Sequence, residues 1–347
     1  MPKIILEDCN NREVFLKKIN LNKSIKIFIN YLLGPILFIW LSYTVFHQIH
    51  NQPDFSLHLK YIKEAAYGKY AFKFWMVIVL MFFNWGIEAL KWKTLMLPLE
   101  ELSFFKSLKA TFSGVAFALN TPNRIGEYGG RILYIKEGNR IKAVTLTLVG
   151  SFSQLIVTIL FGTVGLFIMN DLFVSIPLIT SFKWSIHLFQ VVLVVIILIL
   201  FVIYFNTSWI IKKVETIGLF KRWIKFFVLL EEVSLNILLK VIVLSALRFL
   251  VFGIQYNLLL EVMHVEIDWF VGFWLVSILF LMLAIMPSIA LLELGLRWQY
   301  NLFLFGLFSA NAIGIYAVAT GIWLINLVLP AIIGTILMLG VKVFKET

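Results

Sequence analysis

The chain has 347 residues, of which 61% are hydrophobic, 16% aromatic and 14% charged, with a mean hydropathy of +0.94. Soluble domains hold about 45 to 50% apolar and roughly 25% charged residues, so the composition excludes an ordinary soluble domain and points to a polytopic membrane protein. The charge of +11, from 30 Lys and Arg against 19 Asp and Glu, is read first as the loop bias that orients membrane proteins, the remainder serving an anionic ligand rather than nucleic acid.

Residues 1–26 form a basic leader with Lys3, Arg12, Lys17, Lys18, Lys23 and Lys26, too polar for a signal-peptide core. The first apolar run shows no small-residue cleavage site after it, so the mature chain is expected to start near Met1. A bilayer span needs about 20 apolar residues. Eight windows qualify: 27–46, 71–90, 143–169, 185–206, 237–260, 269–290, 299–318 and 320–341. Between the second and third, residues 103–142 are helical in pattern, mixed in polarity and basic. The segments 103–135 and 269–318 are both candidates for hairpins that enter the membrane and return, since irregular backbone at that depth survives only inside protein or beside a polar cavity. The expectation is an all-α integral membrane domain over 27–343, with about six to eight spans and two re-entrant or broken-helix hairpins. The leader, the basic loop with Lys212, Lys213, Lys221, Arg222 and Lys225, and Lys342 with Lys345 predict cytoplasmic N- and C-termini, whereas Glu261, Glu266 and Asp268 suit the outer side. The leader and helical spans fit a plasma membrane of bacterial type.

A polar motif occurs twice. Thr121-Pro122-Asn123-Arg124-Ile125-Gly126-Glu127-Tyr128-Gly129-Gly130-Arg131 and Met286-Pro287-Ser288-Ile289-Ala290-Leu291-Leu292-Glu293-Leu294-Gly295-Leu296-Arg297 each hold a proline followed by Glu-x-Gly-x-Arg. The offset is 165 at the proline and 166 from the glutamate to the arginine, and Trp85-Gly86-Ile87-Glu88 matches Phe252-Gly253-Ile254-Gln255 at 167. Two copies of about 71–169 and 237–341 are therefore predicted, with opposite orientation on the loop charges, meeting near the bilayer midplane where inverted-repeat transporters bind substrate.

The residue types suit an anion. Pro122 and Pro287 break helices, and Gly126, Gly129, Gly130 and Gly295 let the backbone bend and leave N–H groups near a new helix start. Arg124, Arg131 and Arg297 are candidates for fork-shaped hydrogen bonds to phosphate oxygens. Glu127 with Arg131 and Glu293 with Arg297 are four apart, so each pair also has the spacing for internal neutralisation, and both readings stand at this stage. Arg248 lies inside the fifth window and is a candidate to line the same cavity or to partner a carbonyl or acid. Glu88 beside Lys91 and Lys93 reads as a local salt bridge near the interface.

Other chemistry is not signalled. The sequence has no G-x-x-x-x-G-K-[ST] loop, no G-x-S-x-G elbow and no H-E-x-x-H pair. His47, His50, His58, His187 and His264 lack metal-ligand spacing, and Cys9 is the only cysteine, so neither a metal nor another cofactor is expected.

The stretch Asn120 to Glu127 with Gly130-Arg131, followed downstream by Pro287-Ser288 and Gly295-Leu296-Arg297, resembles the membrane region of lysylphosphatidylglycerol synthases, which defines a wider flippase-like family. The resemblance covers about residues 27–343. It implies translocation or recognition of a membrane phospholipid or lipid-linked substrate, without the activity of the family's separate cytosolic synthase domain. The second motif departs from the family pattern: Ile289-Ala290-Leu291-Leu292 replaces a glycine-rich run and Trp298 stands where a glutamate follows Gly-x-Arg. That favours an anionic phosphate over a lysyl headgroup. The expected function is lipid transport with Arg124, Glu127, Arg131, Arg248, Glu293 and Arg297 around the headgroup. The alternatives are a membrane enzyme or a scaffold in lipid-linked glycan or phospholipid metabolism, and expected partners are a second copy of the chain or a biosynthetic enzyme.

Overall fold

The computed structural model describes residues 43, 60, 63–119, 121, 124–171, 183–206, 230, 233–285 and 290–338, with backbone alone at 183–185 and 290–293. Nine helices order the described residues: α1 Ala71–Met96, α2 Phe104–Leu119, α3 Gly126–Ile132, α4 Arg140–Ile168, α5 Lys183–Phe205, α6 Leu235–Val262, α7 Trp269–Ile285, α8 Ala290–Phe305 and α9 Ala312–Met338, the last interrupted by a π-helical turn at Leu324–Val328. No strand occurs among the described residues. Five helices, α1, α4, α5, α6 and α9, are long and apolar enough to cross a membrane. At 1.5 Å per residue each exceeds or matches the roughly 30 Å hydrocarbon core. Their outward faces carry large apolar side chains, including Val79, Phe82, Phe83, Val191, Leu198, Ile199, Val202, Val243 and Leu247. Such continuous apolar exposure is what lipid contact permits and water does not. The protein is a multi-pass, all-helical membrane protein.

The internal repeat is visible in the helix boundaries. Helices α1, α2 and α3 begin 164 or 165 residues before α6, α7 and α8, and α1 and α2 end 166 residues before α6 and α7. The two first helices, α1 and α6, run antiparallel along most of their lengths. Lys73 near the start of α1 pairs with Glu261 near the end of α6, Gln255 Nε2 donates to the Val77 carbonyl at 2.8 Å, and Arg248 Nε donates to Asn84 Oδ1 at 2.7 Å. Equivalent helices in antiparallel contact are related by a local two-fold, the arrangement expected of an inverted repeat. The remaining helices exchange across it: α2 of the first copy packs on α9 of the second, and α7 of the second packs on α4 of the first. Helix α5 stands at the edge against α4, with most of its surface exposed.

Both predicted hairpins consist of short helices. Helices α2 and α7 have 16 and 17 residues, about 24 to 26 Å, and α3 has seven. Glycine explains how α3 lies on α2. A side-chain carbon at Gly126 would fall 2.4 Å from the Phe117 carbonyl oxygen, and one at Gly130 would fall 2.4 Å from that of Ser113. These two, four residues apart, form a bare stripe that lets the backbones touch, as small residues do between membrane helices. Gly129 and Gly295 have nothing within 4 Å of the same position, so neither is required by packing. Pro122 and Pro287 lie outside the described residues.

Two expectations are corrected. The window 299–318 is not a span: α8 ends at Phe305 and α9 begins at Ala312. Asn311 makes the break, because its side chain caps Gly314 N at 2.9 Å and donates to the carbonyls of Met263 and His264 at 3.1 Å, tying this turn to the end of α6. At the first hairpin the Gly126 N–H is not free for a ligand, since it donates to Thr121 Oγ1 at 2.7 Å. The window 27–46 lies outside the described residues.

Gly130→Ala is expected to destabilise the detergent-solubilised protein by about 1 to 3 kcal/mol through backbone overlap. Gly129→Ala, with open space and helical backbone, should stabilise it by roughly 0.5 to 1 kcal/mol. Thermal unfolding of both variants checks the pair, and equal effects would contradict the close α2–α3 approach.

Candidate functional site

At the middle of the α1–α6 contact lies a buried ion cluster. Glu88, the only acid of α1, accepts a hydrogen bond from Arg131 Nη2 at 2.8 Å and forms ion pairs with Lys91 Nζ at 2.7 Å and Arg248 Nη1 at 3.1 Å. Arg131 reaches back four residues to Glu127 as well. Exposure is 6% for the Glu88 side chain, 2% for Lys91, 3% for Arg131 and 13% for Arg248, so water does little to screen these charges. Three cations meet two carboxylates, and the cluster carries one excess positive charge. Helices α1, α3 and α6 each contribute to it, so the charges fasten the first hairpin to the interface between copies.

The cluster borders a cavity of about 260 Å³. Its polar lining comes from Arg124 before α3, Gln154 and Thr158 of α4, Arg248 of α6, Arg297 of α8 and Asn326 in the π turn of α9, with Trp85 of α1. Its apolar lining is Phe249, Phe252, Phe280, Leu283, Ala284, Ile322, Trp323 and Leu327. Arg248 joins cluster and cavity. Its guanidinium lies 4.9 Å from the Trp85 ring centroid and 5.3 Å from that of Phe252, residues at matching positions in the two copies. Arg124 has a φ of 58°, a left-handed conformation that costs a non-glycine residue roughly 1 to 2 kcal/mol and marks functional sites when it persists. Four polar atoms of the lining are buried without a hydrogen-bond partner among the described residues: Trp85 Nε1, Gln154 Oε1, and Asn326 Nδ2 and Oδ1.

The sequence candidates therefore divide. Arg124, Arg248 and Arg297 line one cavity. Arg131 and Glu127 do not line it; they lie in the ion cluster, so the internal-pairing reading describes them and a direct phosphate contact for Arg131 is corrected. The Glu293 side chain lies outside the described part. Arg131 and Arg297 are equivalent in the repeat, and the difference has a cause. Glu88, which draws Arg131 inward, has the neutral Gln255 as its counterpart, and that amide is spent on the Val77 carbonyl. Glu88 itself is more than the local bridge expected of it: the Lys91 pair exists, and two arginines from distant segments join it. Asn326, Gln154 and Trp85 were not singled out by sequence reasoning. The available signal was an amide set alone in a strongly apolar window, the context in which an intramembrane polar group is costly.

Among the described residues no group of three His, Cys, Asp or Glu side chains is placed to hold a metal.

Glu88→Gln leaves Lys91, Arg131 and Arg248 with less than their compensating charge in a buried site, and a loss of about 3 to 5 kcal/mol is expected. Adding Lys91→Met should recover a measurable part of it, because the two residues share one interaction. Unfolding of the single and double variants in detergent checks this, and strictly additive losses would contradict a coupled cluster.

Comparison with protein-family models and with curated proteins finds no match to this chain. Its class rests on its own architecture, that of a multi-pass helical membrane protein built around a buried ion cluster and an arginine-lined cavity.

Proposed function

We propose that this protein is a flippase-like integral membrane lipid transporter that recognises an anionic phospholipid or polyprenyl-phosphate headgroup. The observation that carries the reading is the cavity itself: Arg124 from the first copy and Arg248 and Arg297 from the second line it together with aromatic and aliphatic residues. A lipid combines the same two features, an anionic head joined to an apolar body. Guanidinium groups bind phosphate oxygens with paired, directional hydrogen bonds. The excess positive charge of the adjoining cluster adds attraction for an anion in a region of low dielectric.

In this reading Arg124, Arg248 and Arg297 contact the headgroup, Glu127 and Arg131 position them, and the two copies rock around the site in alternating access. The resemblance of the Pro122 to Arg131 and Pro287 to Arg297 motifs to the flippase-like membrane family supports the same conclusion. The protein acts as a carrier rather than an enzyme, in a plasma membrane with both termini cytoplasmic, as a homo-oligomer or beside the enzyme that makes its lipid.

The test is reconstitution in liposomes with labelled anionic and zwitterionic phospholipids, following leaflet exposure. Arg124→Gln and Arg297→Gln should each slow movement of the anionic lipid by about tenfold, the loss of one charge-assisted hydrogen bond. Lys136→Gln, on an exposed turn, should stay within about twofold. No lipid movement by folded protein, or equal losses in all three variants, would contradict the reading.

A further inference from the structure

Lys91 is the one member of the ion cluster that neither lines the cavity nor joins two helices. Its acid, Glu88, lies three residues back on the same helix, and the Lys91 side chain is 2% exposed. The charges that act on it are Glu88 of α1, Arg131 of α3 with its own partner Glu127, and Arg248 of α6. Helix α4 comes against Lys91 at Gly150, where a side-chain carbon would stand 3.8 Å from Lys91 Cε, and α4 has no charged residue from Ala143 to Ile168. On α2, Lys109 is exposed and Lys106 is directed to Glu100, while the π turn of α9 is uncharged.

Without Lys91 the cluster balances. Two guanidinium groups meet two carboxylates, Arg131 between Glu88 Oε1 and Glu127, and Arg248 on Glu88 Oε2. The Lys91 ammonium is therefore the surplus charge, and a surplus charge out of reach of water is costly. Arginine keeps its proton inside proteins and lysine does not always, so the surplus leaves only from Lys91. One oxygen connects that proton to the cavity. Glu88 Oε2 lies 2.7 Å from Lys91 Nζ and 3.1 Å from Arg248 Nη1, and Arg248 also lines the cavity. An anion beside Arg248 supplies the negative charge the cluster lacks and competes for the guanidinium, leaving Oε2 to an ammonium at Lys91.

We infer that Lys91 couples transport to protons: with the cavity empty its side chain is the neutral amine, and each anion that binds brings one proton from water onto Lys91 Nζ. Release of the anion reverses the step. One N–H bond of the ammonium breaks, its electron pair stays on nitrogen and the proton returns to water. A carrier loaded with one monoanion and one proton moves no net charge, so a pH difference drives it and a membrane potential does not. The inference rests on the transport reading above and names its energy source. The coupling is reciprocal: a proton on Lys91 strengthens anion binding by the factor by which the anion strengthens proton binding.

The test measures binding of phosphatidylglycerol and of dimethyl phosphate to the purified full-length protein in maltoside detergent, from about pH 6 to about pH 9, a range in which neither phosphodiester changes its own charge. A group more fully protonated in the anion-bound protein makes binding weaken as pH rises. Phosphatidylglycerol affinity should fall about tenfold or more across the range, and a pH indicator in weakly buffered solution should register proton uptake as the lipid binds. Lys91→Met, which holds no proton, should bind with the parent's high-pH affinity throughout. Lys91→Arg, which keeps its charge, should bind with the parent's low-pH affinity throughout, each changing less than about twofold. A lysine with a structural role alone would not exchange one sloping profile for two flat ones at its opposite ends. Lys91→Met preserves the balance of two arginines and two carboxylates, and it decides alone if Lys91→Arg does not fold. Parent affinity independent of pH, or a slope that survives in Lys91→Met, would overturn the inference and leave the lipid reading standing. Binding of dimethyl phosphate with the Lys91-dependent profile, without binding of phosphatidylglycerol, would uphold proton coupling and overturn the lipid reading. Absence of saturable binding by either would overturn both.

Discussion

The pairing of Glu88 with Arg248 across the antiparallel contact of α1 and α6 is the interaction on which the rest of the structure depends. It joins the two copies at the centre of their interface, and through Arg131 it also holds the first hairpin. Charged groups so deeply buried are costly unless paired, and breaking one partner leaves the others uncompensated. A membrane protein gains nothing between its helices from excluding water, because lipid is as apolar as leucine. Specific polar contacts and close backbone approaches must then fix the arrangement. The Glu88 cluster supplies the first, and Gly126, Gly130 and Gly334, each with a carbonyl of α2 within 2.4 Å of where a side chain would start, supply the second.

Departures from the repeat are as informative as its matches. A strict two-fold would place a Glu88 in each copy and bury both motif arginines alike. With Gln255 in place of the second acid, Arg131 is committed to holding the scaffold while Arg297 lies along the cavity. One sequence motif thus meets two environments, the ion cluster in the first half and the cavity lining in the second. The strained backbone at Arg124 delivers a third guanidinium from a segment that precedes α3. Three guanidinium groups line the cavity, while Glu88 and Glu127 are engaged in the cluster that adjoins it at Arg248.

Much of this architecture was legible in the sequence. Composition gave the membrane class, and the Glu-x-Gly-x-Arg repeat together with the Trp85 and Phe252 match located the two copies and their hairpins, because the helix boundaries follow the same offset. Arg124, Arg248 and Arg297 were also legible, Arg124 and Arg297 from the two copies of the motif and Arg248 as a cation inside a span. The role of Glu88 was not, because its nearest lysine lies three residues away and makes it look self-contained, whereas its arginines come from 43 and 160 residues further along. Hydropathy averaging hid the turn at 306–311, where one helix ends and a single asparagine caps the next. Asn326 and Gln154 were hidden for a different reason: an isolated amide has no motif, and only its lack of a partner in three dimensions reveals it.

The central claim is that two inverted copies build one anion-binding cavity beside a shared ion cluster. A cryo-electron microscopy structure in nanodiscs containing phosphatidylglycerol tests it most directly. The account predicts headgroup density in the cavity, with phosphate oxygens within hydrogen-bond reach of Arg124, Arg248 and Arg297 and with Glu88 still bound to Arg131. Lipid headgroups ordered only at the outer rim, with the cavity free of lipid and its arginines turned away, would contradict it.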